Sequence, residues 1–158
     1  MIKVAVVGAS GRMGATVCEA VSQQEDMELV ARLDSGDSID EQSLAGAEVT
    51  VDFTVPAVAF DTVSAALRAG SHSVVGTTGW TPEKYEQITR VAEQAGKNVL
   101  IAPNFALSAV LTMKFAELAA PYFDSAEIIE MHHPNKVDAP SGTAIATAGA
   151  ISAGRAGK

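Results

Sequence analysis

Two imidazoles, an ammonium and a carboxylate lie close together in the chain at His132, His133, Lys136 and Asp138, and the run closes on Ser141-Gly142-Thr143. Imidazole and ammonium groups are proton donors that work near neutral pH. A Ser-Gly-Thr turn that opens a helix offers amides and hydroxyls to an anion such as a carboxylate. On an extended backbone adjacent side chains point to opposite sides, so His132 and His133 serve different purposes. Pro134 and Pro140 restrict the chain between and beyond them. A metal loop from His132, His133 and Asp138 is the rival chemistry. It is disfavoured because neighbouring histidines rarely converge on one ion and Lys136 opposes a cation, so no metal is expected. The blandest alternative makes the histidines surface residues and Ser141 a simple helix N-cap.

A second chemical signal lies at the start of the chain. Gly8-Ala9-Ser10-Gly11-Arg12-Met13-Gly14 spells G-x-x-G-x-x-G between an apolar run and a helical pattern. Glycines there let the backbone turn tightly and approach a pyrophosphate, whose charge rests on the amides at the helix start. Asp34 ends the next apolar run, where a carboxylate takes hydrogen bonds from adenosine ribose hydroxyls. That carboxylate favours NADH, while Arg12 within reach of a 2′-phosphate favours NADPH, and the two possibilities stay open. A merely structural tight turn is the alternative. Three more loops follow strand-like runs: Asp52-Phe53-Thr54, Gly76-Thr77-Thr78-Gly79 and Ala102-Pro103-Asn104-Phe105. Open α/β sheets bind ligands at such strand ends, though each loop taken alone also reads as an ordinary turn.

The elements that must position these groups follow from hydrophobic periodicity. Val4 to Val7 is a continuous β-favouring run, as in a strand buried on both faces. Helix from Gly11 to Gln24, strand from Glu28 to Leu33 and strand from Val49 to Phe53 follow. A helix spans about Ala57 to Ala69, with Gly70 as its stop, and Ser73 to Val75 is a fourth strand. Thr81 as N-cap, Pro82 at the first position and Glu83 in the first turn mark the next helix, which Gly96 ends. Asn98 to Ile101 is strand five. Strands alternate with helices, so the fold expected is a Rossmann-type parallel sheet with helices on both faces. Its domain spans 1–105. Residues 106–158 read as a helix from Ser108 to Ala119, a strand from Glu127 to Met131 and a final helix from Thr143, about the first half of an α+β domain. Leu111 and Phe115 on the first of these helices are expected in its core, His72 in a turn or on the surface, and Cys18 buried on the first helix.

Composition removes other classes of protein. With 47% hydrophobic and 19% charged residues among 158, the chain is neither disordered nor fibrous. A net charge of −8 and a pI near 4.7 leave no electrostatic footprint for nucleic acid or an anionic membrane. The apolar stretch from Phe105 to Ala120 is broken by Lys114 and Glu117 and is shorter than the ~20 residues of a membrane span. The first residues reach Gly8 too early for a signal peptide, and a single cysteine suits a reducing compartment, so a cytoplasmic location is expected.

Glu130-Met131-His132-His133-Pro134-Asn135-Lys136-Val137-Asp138-Ala139-Pro140-Ser141-Gly142-Thr143 resembles the E-x-H-H-x-x-K-x-D-A-P-S-G-T signature of the dihydrodipicolinate (4-hydroxy-tetrahydrodipicolinate) reductase family. The glycine loop and the three later loops resemble that family's cofactor motifs in the same order, most closely in actinobacterial members. The resemblance implies reduction of 4-hydroxy-tetrahydrodipicolinate to tetrahydrodipicolinate, with NADH or NADPH as cofactor, in the diaminopimelate and lysine pathway. By motif position, His132 and Lys136 would be the proton donors. His133, Ser141, Gly142 and Thr143 would hold the cyclic dicarboxylate substrate. Gly8, Ala9, Ser10, Gly11, Arg12, Met13, Asp34, Phe53, Gly76, Thr77, Thr78, Ala102, Pro103, Asn104 and Phe105 would contact the cofactor. The family's members are homotetramers and continue beyond residue 158 to complete the substrate domain. On that comparison residues 106–158 form an incomplete domain, and a truncated dinucleotide-binding fragment with little catalysis is the alternative reading.

Overall fold

The computed structural model describes residues 1–132, 134 and 139–156. The chain divides into two compact units, Met1–Ala102 and Pro103–Lys158.

The first unit is a five-stranded parallel sheet in the order β2-β1-β3-β4-β5, built from β1 (Ile2–Val7), β2 (Met27–Leu33), β3 (Val49–Asp52), β4 (His72–Val75) and β5 (Val99–Ile101). The interior strand β1 explains both faces. Side chains alternate across a strand, so Val4 and Val6 meet one layer while Ala5 and Val7 meet the other. Val4 and Val6 pack with Ala9, Cys18 and Val21, which brings α1 (Arg12–Ser22) onto that face. Ala5 and Val7 pack with Leu33, Leu44, Ala47 and Ala66, the last on α2 (Ala59–Arg68). Val63 and Leu67 of α2 then join Val75 to Ile88, Val91 and Ala92 of α3 (Pro82–Ala95). Helices thus cover both faces, as the apolar strands require.

Local signals in the sequence are realised at α3. The Thr81 side chain accepts from the Lys84 N–H at 3.3 Å, Pro82 opens the helix, and Gly96 closes it with φ of 61°. His72 departs from expectation. It begins β4 instead of lying in a turn, and its Nδ1 accepts from the Asn98 N–H at 3.0 Å. That bond ties the entry of β4 to the entry of β5, a pairing between residues 26 apart that no local pattern displays.

The second unit contains α4 (Leu107–Ala119), a 3-10 turn at Ala120–Tyr122 and α5 (Gly142–Arg155). The two helices pack tightly: a Cβ on Gly154 would collide with the Glu117 carbonyl oxygen. The Arg155 guanidinium donates to the carbonyls of Ala120 (3.3 Å) and Phe123 (2.9 Å), closing the end of α4 and its turn. Two expectations fail here. The strand expected over Glu127 to Met131 is absent, since no other strand among the described residues of this unit offers its backbone a ladder. Ile129 and Met131 are exposed instead, at 87% and 92%. Leu111 and Phe115 are not core, because α4 has no buried residue. A largely apolar helix buries its side chains only where other elements cover it, and among the described residues α5 packs against one side of α4.

Candidate functional site

β1 and β3 are neighbours, while β2 lies on the other side of β1, so the chain reverses its direction of travel through the sheet between β1 and β3. Clefts open at the carboxyl ends of strands at such a reversal. A cavity of about 890 Å³ lies there, lined by the glycine loop, by Asp34 to Asp37, by Phe53 to Pro56 and by Gly76 to Thr78. Its volume is in the range of small-molecule and cofactor sites, roughly 300–1,000 Å³.

The glycine loop is shaped by what its glycines avoid. Gly8 leaves β1 with φ of +80°, a conformation that L side chains resist, and a Cβ there would lie 2.5 Å from the Phe53 carbonyl oxygen. A Cβ on Gly14 would collide with the Gly8 carbonyl, so α1 sits against the loop only because position 14 has no side chain. The Ser10 N–H donates to both carboxylate oxygens of Asp34, at 3.1 and 3.0 Å. The loop and the end of β2 are therefore one unit of structure. Gly11 is the N-cap of α1, and its side carries no capping hydroxyl, which leaves the first amides of the helix to other partners. These features fit a dinucleotide: a close-approach loop, free amides at a helix start and a carboxylate at the end of β2.

The opposite wall is organised by Asp52, the last residue of β3, which is 1% exposed. Its Oδ1 accepts from the Thr54 N–H (3.1 Å), the Thr54 hydroxyl (2.8 Å) and the Thr77 hydroxyl (2.8 Å). Its Oδ2 accepts from the Thr62 hydroxyl at 2.6 Å. The ends of β3 and β4 and the first turns of α2 are held by this one carboxylate. The Trp80 ring N–H donates to the Thr77 carbonyl at 3.0 Å, a further brace on the β4 loop.

Of the residues expected at a cofactor, Gly8, Ser10, Gly11, Arg12, Met13, Asp34, Phe53, Gly76, Thr77 and Thr78 line this cavity. Ala9 is buried with Val4, Val6, Cys18 and Val21 instead. Ala102 to Phe105 are absent from its lining. Ala102 follows β5 and donates to the Val75 carbonyl at 3.1 Å, while Pro103, Asn104 and Phe105 belong to the second unit.

In the second unit, the start of α5 gathers most of the remaining candidates. Ser141 is the N-cap, its hydroxyl accepting from the Ala144 N–H at 3.1 Å. Glu130 reaches the same corner: its Oε1 accepts from the Ser141 N–H at 2.9 Å, and its Oε2 lies 3.7 Å from His132 Nδ1. Glu130 thus stands beside both the imidazole and the helix start. The Thr143 hydroxyl accepts from the Asn104 side-chain amide at 3.1 Å, and Asn104 Oδ1 in turn accepts from the Ala106 N–H at 2.8 Å. Gly142, the first residue of α5, lies between these two tethers. His133 and Lys136 lie outside the described residues. Among the described residues no group of three or more His, Cys, Asp or Glu could hold a metal ion, and no helix is long and apolar enough to cross a membrane.

Asp52, Thr54 and Thr62 are not among the individual residues expected at the site from the sequence, nor is the link from Glu130. An acidic residue closing an otherwise apolar strand is a usable signal for Asp52. Nothing local connects Asp52 to Thr62 or Thr77, which are ten and twenty-five residues away.

The order of strands, the glycine turn and the helices on both faces define a Rossmann-type α/β protein. Residues 2–105 match the family model for the dihydrodipicolinate reductase N-terminus, and residues 108–158 match the model for its C-terminus. The chain belongs to the dihydrodipicolinate reductase family. It is 54% identical over 156 residues to the 4-hydroxy-tetrahydrodipicolinate reductase of Corynebacterium urealyticum, covering 98% of this chain and 63% of that protein. With the protein of the same name from Corynebacterium diphtheriae the identity is 56%, over 98% of this chain and 62% of the relative. These relatives are therefore longer, and the chain spans less than two thirds of their length. The dipicolinate-bound dihydrodipicolinate reductase of a Paenisporosarcina species superposes with a TM-score of 0.80 at 40% identity, covering 100% of this chain and 68% of that one. A Synechocystis biliverdin reductase, 16% identical with a TM-score of 0.58 over 75% of this chain and 41% of its own, shares the fold alone.

Proposed function

We propose that the chain carries the dinucleotide site and the proton-donating segment of an NAD(P)H-dependent 4-hydroxy-tetrahydrodipicolinate reductase, a cytoplasmic enzyme of diaminopimelate and lysine synthesis. The observation that carries this reading is the cavity between the glycine loop and the Asp52 wall, with Asp34 bound to the loop. Gly8, Ser10 to Met13 and Asp34 would hold the adenosine and pyrophosphate half. Phe53 and Gly76 to Thr78 would flank the nicotinamide half, and Ala9 and Ala102 to Phe105 are the further cofactor contacts that the family resemblance implies. NADH or NADPH, when bound, supplies a hydride to the unsaturated ring of the substrate.

This chain's own residues then deal with charge. Hydride addition to a conjugated imine builds negative charge that a positioned acid must quench. His132 and Lys136 are the donors in this reading. Glu130 Oε2 lies 3.7 Å from His132 Nδ1, so this carboxylate stands where it can orient the imidazole. Ser141, Gly142 and Thr143 at the start of α5 receive a substrate carboxylate, and His133 is a further substrate contact that the family resemblance implies. The substrate is a cyclic dicarboxylate, and family resemblance supports a homotetramer, which light scattering would measure.

The test is oxidation of NADH and of NADPH by the chain, with and without 4-hydroxy-tetrahydrodipicolinate, beside a titration of each nucleotide. Substrate-dependent oxidation is expected. Binding of nucleotide without turnover would favour a second reading, a dinucleotide-binding fragment with little catalysis. One observation favours that alternative: α4 has no buried residue.

A further inference from the structure

Asp52 is a buried carboxylate, and no Lys, Arg or His pairs with it among the described residues. Its partners are instead three threonine hydroxyls and one amide. An ionised carboxylate has no proton to give, so every one of these contacts consumes a donor. A threonine hydroxyl has one proton and two acceptor lone pairs. Thr54, Thr62 and Thr77 all line the cavity, and each turns its single proton away from it, towards Asp52. For Thr62 the other acceptor in reach among the described residues is the Ala59 carbonyl at 3.1 Å, which also draws the proton inwards. What these hydroxyls have left for a ligand is lone pairs.

We propose that Asp52 is a positioning residue that makes the β3–β4 wall of the cavity a hydrogen-bond acceptor, so that it selects a neutral N–H or O–H donor on the nicotinamide half of the dinucleotide. This rests on the dinucleotide reading above. Two groups on that half carry such a donor: the nicotinamide carboxamide and the hydroxyls of its ribose. The adenosine half falls on the other side of β1, where Asp34 ends β2, and is indifferent to the wall's polarity.

Replacing Asp52 with Asn keeps the shape and reverses the polarity. The new amide must donate to a threonine oxygen, and that threonine's proton is released towards the cavity. The 158-residue chain and its Asp52→Asn variant are titrated with NADH, ADP-ribose and ADP, with near-ultraviolet circular dichroism and thermal melting as a check on the fold. NADH affinity is expected to fall about tenfold, the loss of roughly one hydrogen bond and the misplacement of another, while ADP affinity stays as it was. If ADP-ribose binding is also unchanged, the recognised donor is the carboxamide. If it falls with NADH, the donor is a ribose hydroxyl. An equal fall for all three ligands, or no fall for NADH, overturns the proposal. Failure of the unchanged chain to bind NADH overturns the dinucleotide reading and the proposal with it. Thr77→Val provides a second arm should Asp52→Asn not fold. It removes one lone-pair donor from the wall and leaves Asp52 its other partners, so a smaller fall for NADH and none for ADP is expected, and a uniform fall again counts against the role.

Discussion

The two units hold their candidate side chains in different ways. At the end of β3, Asp52 is 1% exposed and accepts four hydrogen bonds of 2.6 to 3.1 Å from three separate segments. In the second unit, the His132 side chain is 39% exposed and its described tether is the carboxylate of Glu130, 3.7 Å away. The first arrangement is over-determined: several contacts would have to break before the carboxylate moved. Among the described residues the second shows an electrostatic contact too long to be a hydrogen bond. The underlying cores differ likewise. β1, α2 and α3 bury Val6, Leu67 and Ile88 almost completely, whereas α4 exposes Leu107, Phe115 and Leu118. The Asp52 corner is thus tied by several short hydrogen bonds from separate segments, and the described part of the second unit shows no carboxylate tied in that way. Nucleotide affinity and turnover should respond to different substitutions.

The largest expected effect is on turnover. His132→Gln should lower it about 10²–10⁴-fold, the usual contribution of a general acid. NADH affinity measured by titration should be unaltered. Equal loss of both would remove the functional division between the units. Next comes packing. Leu67→Ala, at a fully buried position, should cost about 2–5 kcal/mol in urea unfolding. Phe115→Ala, at a position 62% exposed, should change stability by no more than about 0.5 kcal/mol. A large cost at Phe115 would show that α4 is covered in solution. The same contrast predicts that the chain enhances the fluorescence of an apolar dye such as ANS, and that Phe115→Glu with Leu118→Glu lowers the signal while Val63→Thr does not.

A smaller effect is expected at the start of α3, where Thr81→Ala should cost about 1 kcal/mol by removing the N-cap acceptor. The smallest is its pH dependence. The Thr81 hydroxyl, and after it the amide of Glu83 itself, hold the Glu83 carboxyl below its ordinary value of 4.5. A depressed folded value means that the unfolded chain binds this proton first as pH falls. The contribution of Glu83 is therefore present above pH 4.5 and is lost as pH falls through the lower folded value. Glu83→Gln should flatten that part of the stability profile, measured by thermal melts across the acid range.

Local chemistry made much of the first unit legible. The run Val4 to Val7 has only one comfortable place, inside a sheet covered on both faces. Gly8 and Gly14 mark a turn that no other residue can make, and Thr81, Pro82 and Gly96 bracket α3. The second unit was less legible for a physical reason. Ile128 to Met131 has the composition of a strand, yet a strand exists only when another backbone pairs with it. Leu111 and Phe115 have the spacing of a core stripe, yet burial depends on what stands opposite.

By itself, then, the sequence determined the Rossmann-type order of elements, the glycine loop with an acidic residue, Asp34, ending the next strand, and the signature from Glu130 to Thr143 that places the chain in its family. These are properties of neighbouring residues, where propensity, spacing and capping act over a few positions. Only the tertiary structure decided that Asp52 gathers Thr54, Thr62 and Thr77 into one wall, that His72 latches onto Asn98, and that Glu130 meets both His132 and the Ser141 amide. Each of these joins polar groups that the chain keeps apart. Burial forces such groups to find partners, but which partner is nearest is settled by the packing of strands and helices and not by the order of residues.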